Sequence, residues 1–213
     1  MIGQIGAFMF HFGECRTPWP VSSHDFMPTT SPASGAQART QQAIIDAAVR
    51  CLAADFTASL ADIADEAGIG RTTLRRYFSE RNDLLAAISA TALARSSAAI
   101  QRARLTEGPA LDAVGRFCEE HFEIGDILIL VLDQPQLSRA WSDESTKHAL
   151  LELIARGKAE GTIEPEIPPE WAYEMIWTHL YAGMHYKPQD GTSRYGALSL
   201  CLTSLKRVLE TRN

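Results

Sequence analysis

The sequence predicts an all-α protein of 213 residues, and three observations lead to this prediction. Ala, Leu, Ile, Glu and Arg are frequent, whereas alternating runs of Thr, Val and Tyr are almost absent. From residue 39 onward, apolar residues recur at the spacing of helices with one buried face. Breaks that contain Gly or Pro separate these periodic segments. The chain is long enough to bury a substantial core.

Composition and periodicity divide the chain into three segments. Residues 1–38 are rich in Pro, Ser, Thr and Gly without a helical period, and we expect a disordered N-terminal arm there. Translation beginning at Met27 is one interpretation of this stretch, and a genuine disordered tail is the other. Residues 39–90 predict a three-helix unit, and residues 91–213 predict a helical bundle.

The first three predicted helices are short and closely spaced. An apolar stripe predicts the first over residues 40–54. Ser59 and Asp62 form a weak capping box at the start of the second, which ends at Gly68. The third helix is predicted over residues 71–78.

The remaining predicted helices form a bundle. The first begins at Leu84, after a break at 78–83, and runs to about Thr106. The run ILILVL at 127–132 fits a buried strand by periodicity alone, but a lone strand has no partner, so we interpret it as a core helix. The other breaks predict helices near 109–123, 126–133, 143–160, 168–187 and 193–211.

Charge, cysteine spacing and motifs exclude several classes of protein. The chain has 20 Lys and Arg against 26 Asp and Glu, so any nucleic-acid-binding face must be a local cluster of basic residues on an acidic body. None of the four cysteines forms a CxxC pair, which predicts a reduced, cytoplasmic protein without a zinc knuckle. No apolar run approaches the roughly 20 residues that span a bilayer, so we expect no membrane association. Phosphate-loop, dinucleotide and hydrolase motifs are absent, and we expect neither a cofactor nor an enzyme.

The segment IADEAGIGRTTL at 63–74 meets the mechanical requirements of a helix-turn-helix. Two short helices that cross steeply need a small residue at their contact, which Ala64 supplies. Gly68 tolerates the positive φ of a tight turn, and Leu74 points back from the second helix. A plain helical hairpin is the alternative.

Arginines collect on the second helix of this motif. Arg71, Arg75, Arg76 and Arg81 lie within eleven residues that contain one acid, Glu80. Arginine binds phosphate, and it can also contact guanine in the major groove through two hydrogen bonds. The pattern therefore predicts a DNA-binding face.

The stretch from Thr40 to Ile88 resembles the N-terminal DNA-binding domain of TetR/AcrR-family transcriptional repressors. Its most specific part is SLADIADEAGIGRTTLRRYFSERNDLLAAI. Residues 155–183 are similar to the family's run into its penultimate helix, and the rest matches in architecture only. Two positions depart from the family. Gly70 stands where the family usually has Ser or Thr, and Arg75 stands where it usually has Tyr.

The resemblance implies a ligand-responsive transcriptional regulator, and a repressor in particular. Two recognition helices of a homodimer would enter successive major grooves of a near-palindromic operator in double-stranded DNA. The last two helices would form the dimer interface, and a small-molecule effector in the C-terminal bundle would release the operator. The residues expected at the DNA are Ser59, Gly70, Arg71, Thr72, Thr73, Arg75, Arg76, Tyr77 and Arg81.

Aromatic and polar residues on the C-terminal helices suggest a small-molecule site, because an aromatic wall with a few polar groups suits such a pocket. Cys118 and His121, three residues apart, also fit a metal, although no third ligand has a suitable spacing. The candidate ligand-binding residues are Phe117, His121, Trp141, Trp177 and Tyr181.

Two other functions remain open at this point. One is a helix-turn-helix DNA-binding protein without an effector, which would lack a ligand-dependent change in DNA binding. The other is a small all-α enzyme. The Glu-x-x-His pairs of a ferritin-like di-iron bundle are absent, which argues against that kind of enzyme.

Overall fold

The computed structural model describes residues 35–138, 144–186 and 193–211, which form ten α-helices, and the all-α prediction is confirmed. The predictions for the first 34 residues, including the start at Met27, lie outside this part of the chain, as does Trp141. An isolated bridge between Ile163 and Glu210 is the one β-type pairing within these ranges. The helices are α1 Gly35–Ala54, α2 Leu60–Glu66, α3 Arg71–Tyr77, α4 Arg81–Ala103, α5 Ala110–Glu123, α6 Gly125–Asp133, α7 Pro135–Ser138, α8 Glu144–Glu160, α9 Pro169–His185 and α10 Arg194–Leu209.

Two helices begin earlier than the sequence predicts. Helix α1 starts at Gly35, so residues 35–38 are helical and do not belong to a disordered arm. Helix α4 starts at Arg81, three residues before the predicted start. The carboxylate of Asp83 accepts a hydrogen bond from the backbone N–H of Glu80 at 3.0 Å, which closes a capping box at this position.

The buried residues form two hydrophobic clusters, and we call the first the N-terminal core. It contains residues of α1 to α4, as expected for a three-helix DNA-binding unit. It also contains Ile127, Leu130 and Val131 of α6 and Leu137 of α7. Helices that the sequence assigns to the C-terminal segment therefore complete the core of the N-terminal one.

The second cluster, the C-terminal core, lies among the end of α4 and helices α5, α8, α9 and α10. Its helices carry their apolar residues on one face, as their periodicity predicts. The largest contributions come from fully or nearly fully buried Phe117, Phe122, Leu150, Ile154, Ile176, Trp177, Leu180 and Leu205.

Helix α4 contributes to both cores. Leu84 and Ile88 lie in the N-terminal core, and Ala103 lies in the C-terminal one. By length and composition alone this helix could cross a membrane, but these buried residues make it a core helix.

Two arginines hold the C-terminal end of α4. Arg116 of α5 donates hydrogen bonds to the carbonyls of Ala103 and Arg104 at 2.9 and 3.0 Å. Arg156 of α8 donates to the carbonyls of Leu105 and Thr106 at 2.9 and 2.8 Å. The last carbonyls of a helix lack partners within the helix and carry partial negative charge, so cationic donors stabilise this end.

Candidate nucleic-acid interface

Helices α2 and α3 meet at a glycine corner, as the sequence predicts. Gly68 has a φ of +65°, a conformation that other residues adopt only with strain. The N–H of Ile69 then donates to the carbonyl of Ala64 at 3.0 Å, and Ala64 is fully buried at the contact. Leu74 is 1% exposed, so α3 is fixed by its inner face.

The N-terminus of α2 is capped by Ser59, which confirms the predicted capping box. The Ser59 N–H donates to the Asp62 carboxylate at 2.8 Å, and the Asp62 N–H donates to the Ser59 hydroxyl at 3.3 Å. Hydrogen bonds from the hydroxyl and N–H of Ser59 lower the pKa of Asp62. This cap stabilises the start of the first helix of the motif.

The outer face of α3 presents the predicted DNA-binding residues to solvent. Arg71, Thr72, Arg75 and Arg76 are exposed, and Thr73 and Tyr77 are half-buried. Gly70 occupies the N-cap without a side-chain hydrogen bond, which leaves the N-terminus of α3 open.

The arginines of α3 differ from several arginines elsewhere in the chain. Arg71, Arg75 and Arg76 form no ion pair with any residue that the structure describes. In contrast, Arg50 lies 2.9 Å from the Glu66 carboxylate, and Arg95 is paired with an aspartate on α1. The positive charge of α3 is therefore available to an external anion.

Arg81 differs from the arginines of α3 because it contacts the protein's own backbone. Its guanidinium donates hydrogen bonds to the backbone carbonyls of Phe56 and Ala58, in the turn before α2. It also lies over the Phe56 ring, with 5.4 Å between Cζ and the ring centroid. Arg81 thus stabilises the turn before α2, and its contact with DNA stays a prediction.

Three candidate ligand-binding residues lie together in the C-terminal core, and we call Phe117, His121 and Trp177 the aromatic cluster. The rings of Phe117 and His121 stack with centroids 3.9 Å apart, and Trp177 contacts both edge-on at 5.7 and 5.6 Å. The Trp177 Nε1–H is buried and has no hydrogen-bond acceptor among the described residues. Both nitrogens of His121 are engaged, and no set of three metal-ligating side chains occurs within the described ranges.

Tyr181, the fourth described candidate, forms a separate polar contact between α9 and α6. Its hydroxyl donates to the Asp133 carboxylate at 2.7 Å, and the same carboxylate lies 3.0 Å from His185 Nε2. Burial, together with the hydrogen bond and charge of Asp133, raises the pKa of Tyr181 to about 12. These three residues connect a C-terminal helix to α6, which packs in the N-terminal core.

Ser96 and Asp133 contact candidate ligand-binding residues but are not among the residues predicted from the sequence. Ser96 is fully buried on α4, and its Oγ lies 3.1 Å from His121 Nε2. The available signal was a serine in line with Ala92 and Ala99 on the apolar face of the predicted helix. Asp133 ends the apolar run of α6, and only the tertiary structure brings it to Tyr181.

Comparison with known proteins supports this interpretation of the motif. Residues 44–88 match the family model "Bacterial regulatory proteins, tetR family". The chain is 39% identical over 183 residues to the HTH-type transcriptional repressor LfrR of Mycolicibacterium smegmatis. This alignment covers 83% of the chain and 94% of that protein.

Solved structures share the fold over most of the chain. The TetR-like regulator LfrR from Mycobacterium smegmatis in complex with proflavine has a TM-score of 0.65 at 35% identity. The match covers 84% of this chain and all of that one. The ketosteroid regulator KstR2 of Mycobacterium tuberculosis has a TM-score of 0.67 at 15% identity, over 81% of this chain and 95% of that one, which is a likeness of fold alone.

Proposed function

Because this chain belongs to the TetR family of bacterial regulatory proteins, it is a helix-turn-helix transcriptional regulator, and we propose how it binds and leaves DNA. It is a cytoplasmic repressor that binds a near-palindromic operator as a homodimer. A small molecule in the C-terminal helices releases it.

The exposed, acid-free face of α3 carries this proposal. Arg71, Arg75 and Arg76 have no competing carboxylate on their own helix, and Leu74 and Phe78 hold the opposite face in the N-terminal core. A helix that is anchored on one side and cationic on the other suits the major groove. Because the chain has an overall charge of −6, the electrostatic attraction to DNA is confined to the arginine face of α3.

The proposed effector is a planar aromatic cation. The relative LfrR has been solved in complex with proflavine, a molecule of this class. In this chain the aromatic cluster offers flat rings for stacking, and Asp133 offers a carboxylate at the nearby contact between α6 and α9. Trp141 and Tyr181 remain candidate contacts for the same molecule.

The proposed dimer interface lies on α9 and α10. Large apolar side chains are exposed there: Trp171 is 53% exposed, Tyr195 74%, Leu200 56% and Val208 39%. Such a concentration of exposed apolar area on two neighbouring helices favours association. Two protomers joined through these helices would present two copies of α3 to one duplex.

Selection of bound DNA from a random pool by the purified protein tests the proposal. We expect an enriched palindromic site of about 15–20 base pairs, and we expect proflavine or ethidium to weaken binding to it. Arg75→Ala and Arg76→Ala should each weaken operator binding. The matched control is Arg102→Ala, which removes an exposed arginine of α4 that pairs with Glu120.

The outcomes separate the candidate functions. No enriched site would contradict DNA-sequence recognition. An enriched site whose affinity neither cation changes would contradict the proposed effector class and support a regulator without such an effector. Equal losses from Arg75→Ala and Arg102→Ala would contradict the assignment of α3 as the recognition helix.

A further inference from the structure

Small side chains form the inward face of α4 between the two cores. They are Ser89, Ala92, Ser96, Ala99 and Ala103, all almost or completely buried. Small side chains let neighbouring helices approach closely, and packed helices can move past one another by small shear displacements. A hydrogen bond on this face can therefore help to determine the position of α4 relative to its neighbouring helices.

One directional contact is the buried hydrogen bond between Ser96 of α4 and His121 of α5. His121 Nδ1 lies 3.0 Å from the carbonyl oxygen of Phe117, and because a carbonyl can only accept, Nδ1 carries the proton. In the neutral ring, Nε2 is then the acceptor for the Ser96 hydroxyl at 3.1 Å. Both residues are fully buried, so bulk water does not replace this hydrogen bond when one partner is substituted.

His121 also belongs to the aromatic cluster. Its ring stacks on Phe117 and meets the edge of Trp177, whose buried Nε1–H lacks an acceptor among the described residues. A ligand that packed against Trp177 would therefore lie close to the His121 ring, and the hydrogen bond to Ser96 connects that ring to α4.

We propose that the hydrogen bond between Ser96 and His121 holds α4 in the position that suits the operator, and that an effector acts by breaking it. This inference rests on the proposed function. Ser96 is fifteen residues from Arg81, or about 22 Å along a rigid helix, so a small tilt at Ser96 becomes a larger displacement of α3. Ser96 and His121 are thus positioning residues for DNA binding.

The test measures how much the affinity for the operator depends on the distance between its two half-sites. Affinity is measured for the operator that wild-type protein selects and for the same operator with one base pair inserted at its centre. The ratio of the two dissociation constants is the spacing preference. We expect the double variant Ser96→Ala/His121→Phe to lower this preference about tenfold, equivalent to about 1.4 kcal/mol.

The double variant replaces both polar partners with apolar groups of similar shape, a change that protein cores tolerate better than loss of one partner. Ser96→Ala alone is measured beside it, so a folding defect in one variant leaves the other to decide. Ser96→Thr keeps a hydroxyl and should retain the preference. The matched control is Ser89→Ala, a buried serine two turns earlier on the same helix, which should also leave it unchanged.

Proflavine supplies a second arm. It should lower the spacing preference of wild-type protein to that of the double variant, and it should have little further effect on Ser96→Ala, which keeps His121. A folded double variant with the wild-type spacing preference overturns the inference but not the proposed function. Wild-type protein that selects no operator overturns both. If proflavine leaves the DNA binding of wild-type protein unchanged, only the proposed effector class is contradicted.

Discussion

Replacing Arg81 with alanine distinguishes a structural role from a DNA contact. The substitution removes two hydrogen bonds to the carbonyls of Phe56 and Ala58 and the contact with the Phe56 ring. These interactions tie the start of α4 to the turn that precedes α2. We therefore expect the change to lower the free energy of unfolding.

The size of this loss follows from the contacts. A hydrogen bond from a charged donor contributes about 1.5–3 kcal/mol, and we take about 1 kcal/mol for each because both are only partly buried. The expected total is about 2 kcal/mol. For a chain of this size each 1 kcal/mol lowers Tm by about 2–4 °C, so Tm should fall by about 4–8 °C.

Chemical denaturation measures the stability, and the salt dependence of operator affinity measures phosphate contacts. Arg81→Ala should lower stability while leaving the salt slope close to wild type. Arg75→Ala is the matched comparison, because we expect it to keep the stability and reduce the slope by about one unit if Arg75 contacts phosphate. An Arg81→Ala protein of wild-type stability with a reduced salt slope would refute the structural role and support the DNA contact that the family resemblance implies.

Three further predictions concern the corner, α9 and the dimer. Gly68→Ala should cost about 1–2 kcal/mol in the free energy of unfolding because φ is +65°. Gly70→Ser should cost nothing, because φ is negative there and an added Cβ meets only the Thr73 hydroxyl at an ordinary contact distance of 4.0 Å; denaturation curves compare the two variants. Because the folded pKa of Tyr181 is raised from 10 to about 12, neutral Tyr181 is favoured in the folded state, so stability should fall as pH rises from 10 to 12. Denaturation at pH 9 and pH 11 should show a smaller fall for Tyr181→Phe, and an equal fall in both proteins would contradict this. Leu200→Glu should yield folded monomers by sedimentation and abolish operator binding; an intact dimer would place the interface elsewhere.

The helix-turn-helix was predictable because local requirements determine it. Ser59 and Asp62 form the cap, Gly68 adopts the left-handed conformation, and Leu74 points inward, each as its residue type suggests. These features depend on neighbours within a few residues. The same reasoning correctly interpreted the apolar run of α6 as a core helix.

Features that depend on distant contacts were not predictable. Only the tertiary structure brings Arg81 to two carbonyls more than twenty residues away along the chain. Helix α4 ends at Ala103 rather than near Thr106 because Arg104 adopts a left-handed conformation with φ of 46°, which is uncommon for arginine. The ligand-binding residues and the DNA contacts of α3 stay predictions.

The contribution of α6 and α7 to the N-terminal core limits how this regulator can be engineered. A chimera that joins residues 35–103 to the C-terminal half of another regulator would lose four side chains from its N-terminal core: Ile127, Leu130, Val131 and Leu137. The graft would expose the apolar surface that those side chains cover. To exchange operator specificity between relatives, α6 and α7 must therefore be transferred together with α1 to α4. Otherwise the corresponding helices of the protein that receives the graft must be redesigned to pack against α1 to α4.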